Sequence, residues 1–168
     1  AITVGGGTST ATEGIAATGN IFLSAGETAE GTGSDASITL NASLSSTTGN
    51  ISLQAEDSIT QSTANADISV STSAKSIDLQ ADDSITMVSG ALSQSTGGNI
   101  RYLADTGNIT LGALSTGDQL LGTVAVMATA GGILDTLRDT AVNVTAADLV
   151  LRAGTAIGET ANRLETAV

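Results

Sequence analysis

Apolar residues recur along the chain at short, nearly regular intervals, and each recurrence alternates with polar positions. Ile51, Ile59, Ile68, Ile77, Ile85, Leu92, Ile100 and Ile109 follow one another at steps of seven to nine residues. Several open an apolar–polar–apolar triplet: Ile51-x-Leu53, Ile68-x-Val70, Ile77-x-Leu79 and Ile109-x-Leu111. A period of two puts such residues on one side of a half-buried strand. The intervening Gly, Asn, Asp, Ser and Thr are turn formers. Three strands make a longer unit, because residues 52–60 (SLQAEDSIT) return as residues 78–86 (DLQADDSIT) at an offset of 26.

Looser copies flank this centre. Ile21-x-Leu23 and Ile38-x-Leu40 lie upstream; Val124-x-Val126, Val142-x-Val144 and Leu149-x-Leu151 lie downstream. Residues 99–111 (NIRYLADTGNITL) resemble 67–79 (DISVSTSAKSIDL) at an offset of 32. One 26-residue unit plus six extra residues accounts for that offset, and the extra residues are expected as a protruding loop near 87–98. The stretch 112–140 reads as a less regular connection, with a weak helical pattern in 133–140. Thr-Gly-Asn at 18–20, 48–50 and 106–108 precedes Ile strands. Gly and Asn there are expected to supply the positive φ of a sharp corner.

One strand triplet cannot bury its apolar side alone. Coiling sets each Ile on the Ile of the turn before, about 4.8 Å away, and the stack becomes a continuous core. The expected fold is all-β: a single parallel β-solenoid domain over residues 1–168, with roughly six irregular three-strand turns of about 26 residues. Its expected core is Ile21, Leu23, Ile38, Leu40, Ile51, Leu53, Ile59, Ile68, Ile77, Leu79, Ile85, Ile100, Ile109, Leu111, Val124, Val126, Val144 and Leu151. Corner Asn residues are expected to form ladders along the stack. A β-sandwich also spaces its strands this way. Sandwich strands, however, rarely repeat at a fixed offset and usually bring aromatics.

Composition agrees with a thin aliphatic interior. There is one Phe, one Tyr and no Trp, while 40% of residues are hydrophobic. Formal net charge is −12, from 17 acidic and five basic residues, and the first 74 residues hold no base. A nucleic-acid partner or an anionic membrane surface is therefore disfavoured. No run reaches transmembrane length, and no signal peptide is visible. With no Cys and no His, thiolate chemistry, a Ser-His-Asp triad and histidine metal sites are excluded. Parallel β-helices do host polysaccharide lyases and hydrolases. Such sites need clustered acids, bases and aromatic platforms, which this chain lacks, so it reads as non-catalytic.

The sharpest polar feature is Glu56-Asp57 with Asp82-Asp83, again 26 apart. Stacked on adjacent turns, these four carboxylates have two readings: a calcium site bridging the turns, or a solvated acidic ridge that keeps rods apart. No other cofactor is indicated. Gly5-Gly6-Gly7 lacks the Lys-Ser/Thr of a phosphate loop. Thr8-Ser9-Thr10 raises ice binding, which needs Thr-x-Thr at one register on every turn; the Thr residues read as not recurring at one register. Four Asn-x-Ser/Thr matches, at Asn41, Asn50, Asn108 and Asn143, read better as corner residues than as glycosylation sites.

The pattern G-N-I-x-L-x-A-x-x-S-I-T resembles the repeats of filamentous-haemagglutinin-like exoproteins and other giant bacterial adhesins. Residues 143–168 resemble a segment of very large repetitive surface proteins. The matching positions are Asn143-Val144-Thr145-Ala146, Leu149-x-Leu151, Gly154-x-x-Ile157-Gly158 and Asn162-x-Leu164-Glu165-Thr166. Arg163 stands where the family tends to carry Pro. The resemblance implies a right-handed parallel β-helix, secretion to the bacterial cell surface, and a role in adhesion or biofilm matrix. Neither AITV nor LETAV reads as a cap, so end-to-end stacking with neighbouring repeats or further copies is expected. A glycan partner, engaged by the 87–98 loop or the acidic ridge, is the alternative.

Overall fold

A computed structural model describes residues 1–5, 14–27, 35–136 and 141–168. Among these the protein is all-β, with no helix and nineteen strands, β1–β19 in chain order, in three sheets. Sheet A stacks β1 (Ile2–Val4), β4 (Ile38–Leu40), β7 (Ile59–Gln61), β10 (Ile85–Met87), β13 (Ile109–Leu111) and β16 (Ile133–Asp135). Sheet B stacks β2 (Ile15–Ala17), β5 (Leu44–Ser46), β8 (Ile68–Ser73), β11 (Leu92–Thr96), β14 (Ala113–Ser115), β17 (Val144–Thr145) and β19 (Thr166–Ala167). Sheet C stacks β3 (Ile21–Ala25), β6 (Ile51–Ala55), β9 (Ile77–Ala81), β12 (Ile100–Ala104), β15 (Thr123–Ala128) and β18 (Asp148–Ala153). Strand-to-strand pairing in the sheets is parallel; β1–β18 visit A, B and C in turn, and β19 returns to sheet B. The molecule is a β-solenoid of about six turns, on the order of 30 Å along its axis at the usual strand spacing.

The core is built from columns. In sheet C, Ile21, Ile51, Ile77, Ile100, Val124 and Leu149 lie one above the next. Two residues on, Leu23, Leu53, Leu79, Tyr102, Val126 and Leu151 do the same. A third column is Ala throughout, at 25, 55, 81, 104, 128 and 153. In sheet A the inward column is Ile2, Ile38, Ile59, Ile85, Ile109 and Ile133. Sixteen of the eighteen expected core positions are buried; Leu23 and Leu151, on the end strands of sheet C, are half-buried. Stacking like on like gives each aliphatic side chain neighbours above and below without the wide interior that aromatics would fill.

Three expectations are corrected. Segment 87–98 is no protruding loop: it holds the end of β10, a turn and β11. The apparent insertion came from a match out of phase, since Ile100 pairs with Ile77, 23 positions earlier, and not with Ile68. This turn is shorter than the 26 residues between Ile51 and Ile77. Nor is 112–140 a loose connection, because β14, β15 and β16 lie in it. Residues 137–140 of the weakly helical stretch fall outside the described residues, as do Gly6, Gly7 and Thr8-Ser9-Thr10. Finally, Val142 is 44% exposed and precedes its strand, so only Val144 of that triplet faces the core.

The corners follow a rule of their own. Gly19, Gly49 and Gly107 do not take positive φ. A Cβ on Gly49 would lie 2.2 Å from the Asn20 nitrogen, and one on Gly107 would lie 2.6 Å from an Asp83 carboxylate oxygen. Glycine is required at 49, where the obstacle is the backbone of the turn before; at 107 the nearest atom is the end of the exposed Asp83 side chain, which can move aside. The Asn residues do form cross-turn ladders, but from amide oxygen to backbone: Asn20 Oδ1 accepts from Asn50 N–H (2.8 Å), and Asn50 Oδ1 from Ser76 N–H (2.9 Å).

Candidate functional site

The repeat brings the four predicted carboxylates to one corner, between sheets C and A. Ala55 lies under Ala81. Directly after that pair, Asp82 N–H donates to the Ala55 carbonyl and Asp83 N–H to the Asp57 carbonyl, each at 3.1 Å. Asp105 extends the ridge by another turn, donating its N–H to the Ala81 carbonyl at 3.1 Å. Sequence reading missed Asp105 because its partner is Thr106 rather than a second acid.

The side chains face their corners. Glu56 Oε2 accepts from Glu27 N–H at 2.5 Å, and Asp57 Oδ2 accepts from Ala36 N–H at 2.7 Å. Asp83 Oδ2 accepts from the Ser58 hydroxyl at 3.1 Å. These carboxylates cap backbone and hydroxyl groups of the preceding turn. Glu56, Asp82 and Asp83 are also exposed to solvent, and Asp57 is half-buried. Among the described residues, no three acidic side chains converge in a group able to hold a metal ion.

The outer face of sheet A carries a file of hydroxyls. Thr3, Thr39, Thr60, Thr86 and Thr110 pair in register, one per turn. Thr residues thus do recur at one register, contrary to the sequence expectation. The paired Thr-x-Thr of an ice-binding face is still not formed, because Ser37, Ser58, Ser84 and Asn108 hold the other outward place. The signal was legible as S/N-I-T at 37–39, 58–60, 84–86 and 108–110.

Two polar clusters interrupt the apolar interior. Tyr102 is fully buried; its hydroxyl donates to Gln61 Oε1 at 2.9 Å and lies 2.6 Å from Ser93 Oγ. Gln61 Nε2 in turn donates to the Ala66 carbonyl at 2.7 Å. Burial pushes the Tyr102 phenol well above its ordinary range, with the Ser93 hydrogen bond acting the other way. Near the C-terminal end, Asn143 Nδ2 donates to Asp135 Oδ1 and Asn162 Nδ2 to the Asp135 carbonyl, both at 2.7 Å. Glu165 N–H reaches Asn143 Oδ1 at 3.0 Å. These bonds tie residues 162–165 to the rod.

On the outer face of sheet C, Arg101 makes a two-pronged ion pair with Asp78 of the turn before, Nε to Oδ1 at 2.7 Å and Nη2 to Oδ2 at 2.8 Å. That hydrogen bond raises the Arg101 pKa. A shallow groove of about 310 Å³ runs beside the pair, lined by Asn99, Thr123 and Ala125 among others. No aromatic side chain lines it.

These features define the class of fold, a parallel β-solenoid whose exposed polar groups largely serve its own corners. Comparison with protein families, with curated proteins and with solved structures returned no match.

Proposed function

We propose that this chain is a mechanical element: a non-catalytic stretch of rod in an extracellular bacterial fibre or adhesin, serving adhesion or matrix. The observation behind this reading is the uninterrupted register of the inward columns through all six turns of sheet C. Here the columns of sheet C keep their register from turn to turn, and the acids support the corners. Each turn contacts its neighbours alone, so load along the chain meets a series of similar interfaces.

Single-molecule stretching tests this. The chain has no Cys, so one added at each end gives unique handles. The expected trace lengthens in steps of whole turns, about 75–95 Å for each 23–26 residues released. Smooth extension at low force, without steps, would contradict a mechanical role.

A further inference from the structure

One corner departs from the others. Between sheets B and C the chain turns in two to four residues, except between β14 and β15, where residues 116–122 make a corner of seven. An insertion of this kind stands out from the stack and leaves the columns beneath it intact. Its own shape is fixed. Gly117 and Gly122 take positive φ, 81° and 74°. Thr116 Oγ1 donates to the Asp118 carbonyl and Leu120 N–H to Asp118 Oδ1, each at 2.9 Å. The corner presents two leucines to solvent: Leu120 is 81% exposed and Leu121 53%. Leu121 stands over Gly97 of the turn before, where a Cβ would lie 3.1 Å from its side chain.

The groove on sheet C opens beside this corner. Thr123 and Ala125 wall it in the same turn, Asn99 and Arg101 in the turn before, and Ser76 and Asp78 in the one before that. Residues 1–137 contain two bases, Lys75 and Arg101, and both stand here. Lys75 adjoins Ser76, and its carbonyl oxygen is 2.0 Å from the place a Cβ on Gly98 would take. Among the described residues no carboxylate pairs with Lys75. The pair with Asp78 uses Nε and Nη2 of Arg101 and leaves its Nη1 edge open.

We propose that this corner and groove form a docking surface for an acidic, aliphatic polypeptide segment of another protein. Complementarity selects the occupant: apolar side chains against Leu120 and Leu121, carboxylates toward Lys75 and the open edge of Arg101. The turns set the spacing. The leucines belong to the fifth turn and Lys75 to the third, about 10 Å away along the axis at the usual strand spacing. Roughly three extended residues cover that distance, so the segment reads aliphatic-aliphatic-x-acid-acid. A glycan fits less well, since no aromatic side chain lines the groove for a sugar ring. A second copy fits less well too, because a net charge of −12 opposes side-by-side approach. The surface gives the rod a partner and does not depend on the rod's bearing load.

The test is an NMR titration of the isotope-labelled 168-residue chain with blocked synthetic peptides. The probe is LLSEE, and its controls are LLSKK and SSSEE. LLSEE should give saturable shifts confined to residues 75–78, 97–101 and 117–125. Each control should bind about tenfold more weakly or worse. Leu120→Ser should keep the melting temperature and weaken LLSEE by about tenfold. Lys75→Gln should weaken it and reduce its salt dependence. No saturable shift, shifts spread over other faces, equal binding of LLSKK, or binding unchanged in Leu120→Ser overturns the proposal. An oligogalacturonate that moves the same amides while LLSEE does not would assign the surface to a glycan instead. A dimer of the free chain in sedimentation equilibrium, abolished by Leu120→Ser, would assign it to a second copy; either result also overturns the proposal.

Discussion

Tyr102 stands in a column that aliphatic residues hold in the other turns, and its hydroxyl is accommodated by Gln61 and Ser93. The cost of this arrangement depends on pH. Unfolded, the phenol titrates near its ordinary 10.0; folded, its pKa is raised by burial. Below pH 10 both states hold the proton, and the group's contribution is constant. Above it the unfolded chain ionises first, so stability falls as pH rises toward the folded pKa, by up to about 1.4 kcal/mol per pH unit. Urea melts across alkaline pH should show this limb in the parent and lack it in Tyr102→Phe. At neutral pH the same variant should cost about 0.5–1.5 kcal/mol, because Gln61 Oε1 loses one buried donor and keeps the Ser93 hydroxyl at 3.3 Å. Since this is the one Tyr in the chain, tyrosinate absorbance should rise together with unfolding and not before it. An identical alkaline limb in Tyr102→Phe would assign the effect elsewhere.

At the scale of strand and corner, proximity between turns decides what each position tolerates. Gly19 and Gly49 sit in identical Thr-Gly-Asn corners, yet a Cβ on Gly19 meets nothing within 4 Å while one on Gly49 strikes the backbone of the turn before. Gly49→Ala should therefore lower stability by about 1–3 kcal/mol, in the manner of an overpacked site. Gly19→Ala should be neutral or slightly stabilising. Equal denaturation midpoints for the two variants would contradict this account of the corners. Much of this level was legible in the sequence. Each of the eight residues from Ile51 to Ile109 that set the seven-to-nine step begins a strand. What was not legible followed from tertiary register. Ser93, and not Leu92, faces inward against Ile68, since Ser93 serves the Tyr102 hydroxyl. Similarly, hydroxyls inside sheet B serve the next corner, as where Ser46 Oγ donates to the Gly19 carbonyl and Ser95 Oγ to the Gly98 carbonyl. Composition alone assigns such serines to the surface. The 26-residue offset sets residues 56–57 and 82–83 on adjacent turns, but the hydrogen bonds of Glu56 and Asp57 to Glu27 and Ala36 join segments of unlike sequence. Asp135 was missed although its place over Leu111 follows from reading Ile133-x-Asp135 against Ile109-x-Leu111.

Across the whole molecule, the same neighbour relation is repeated with turn lengths of 23 to 26 residues in the centre. Variation in length is absorbed at the corners and, in sheet B, by a register shift between β8 and β11; the columns of sheet C stay in phase. Net charge of −12 disfavours side-by-side association of such rods. Register is the premise under all of these readings, and cysteine pairing measures it directly. Gln54 lies against Gln80 on the outer face, in adjacent turns. At a strand spacing of about 4.8 Å their α-carbons fall within disulfide range. The double variant Gln54→Cys/Gln80→Cys should oxidise readily to an intramolecular disulfide in the native state. Gln54→Cys/Asp78→Cys, displaced by two positions, should remain reduced under the same conditions. Equal or reversed rates for the two pairs would contradict the stacked register, and with it the rod.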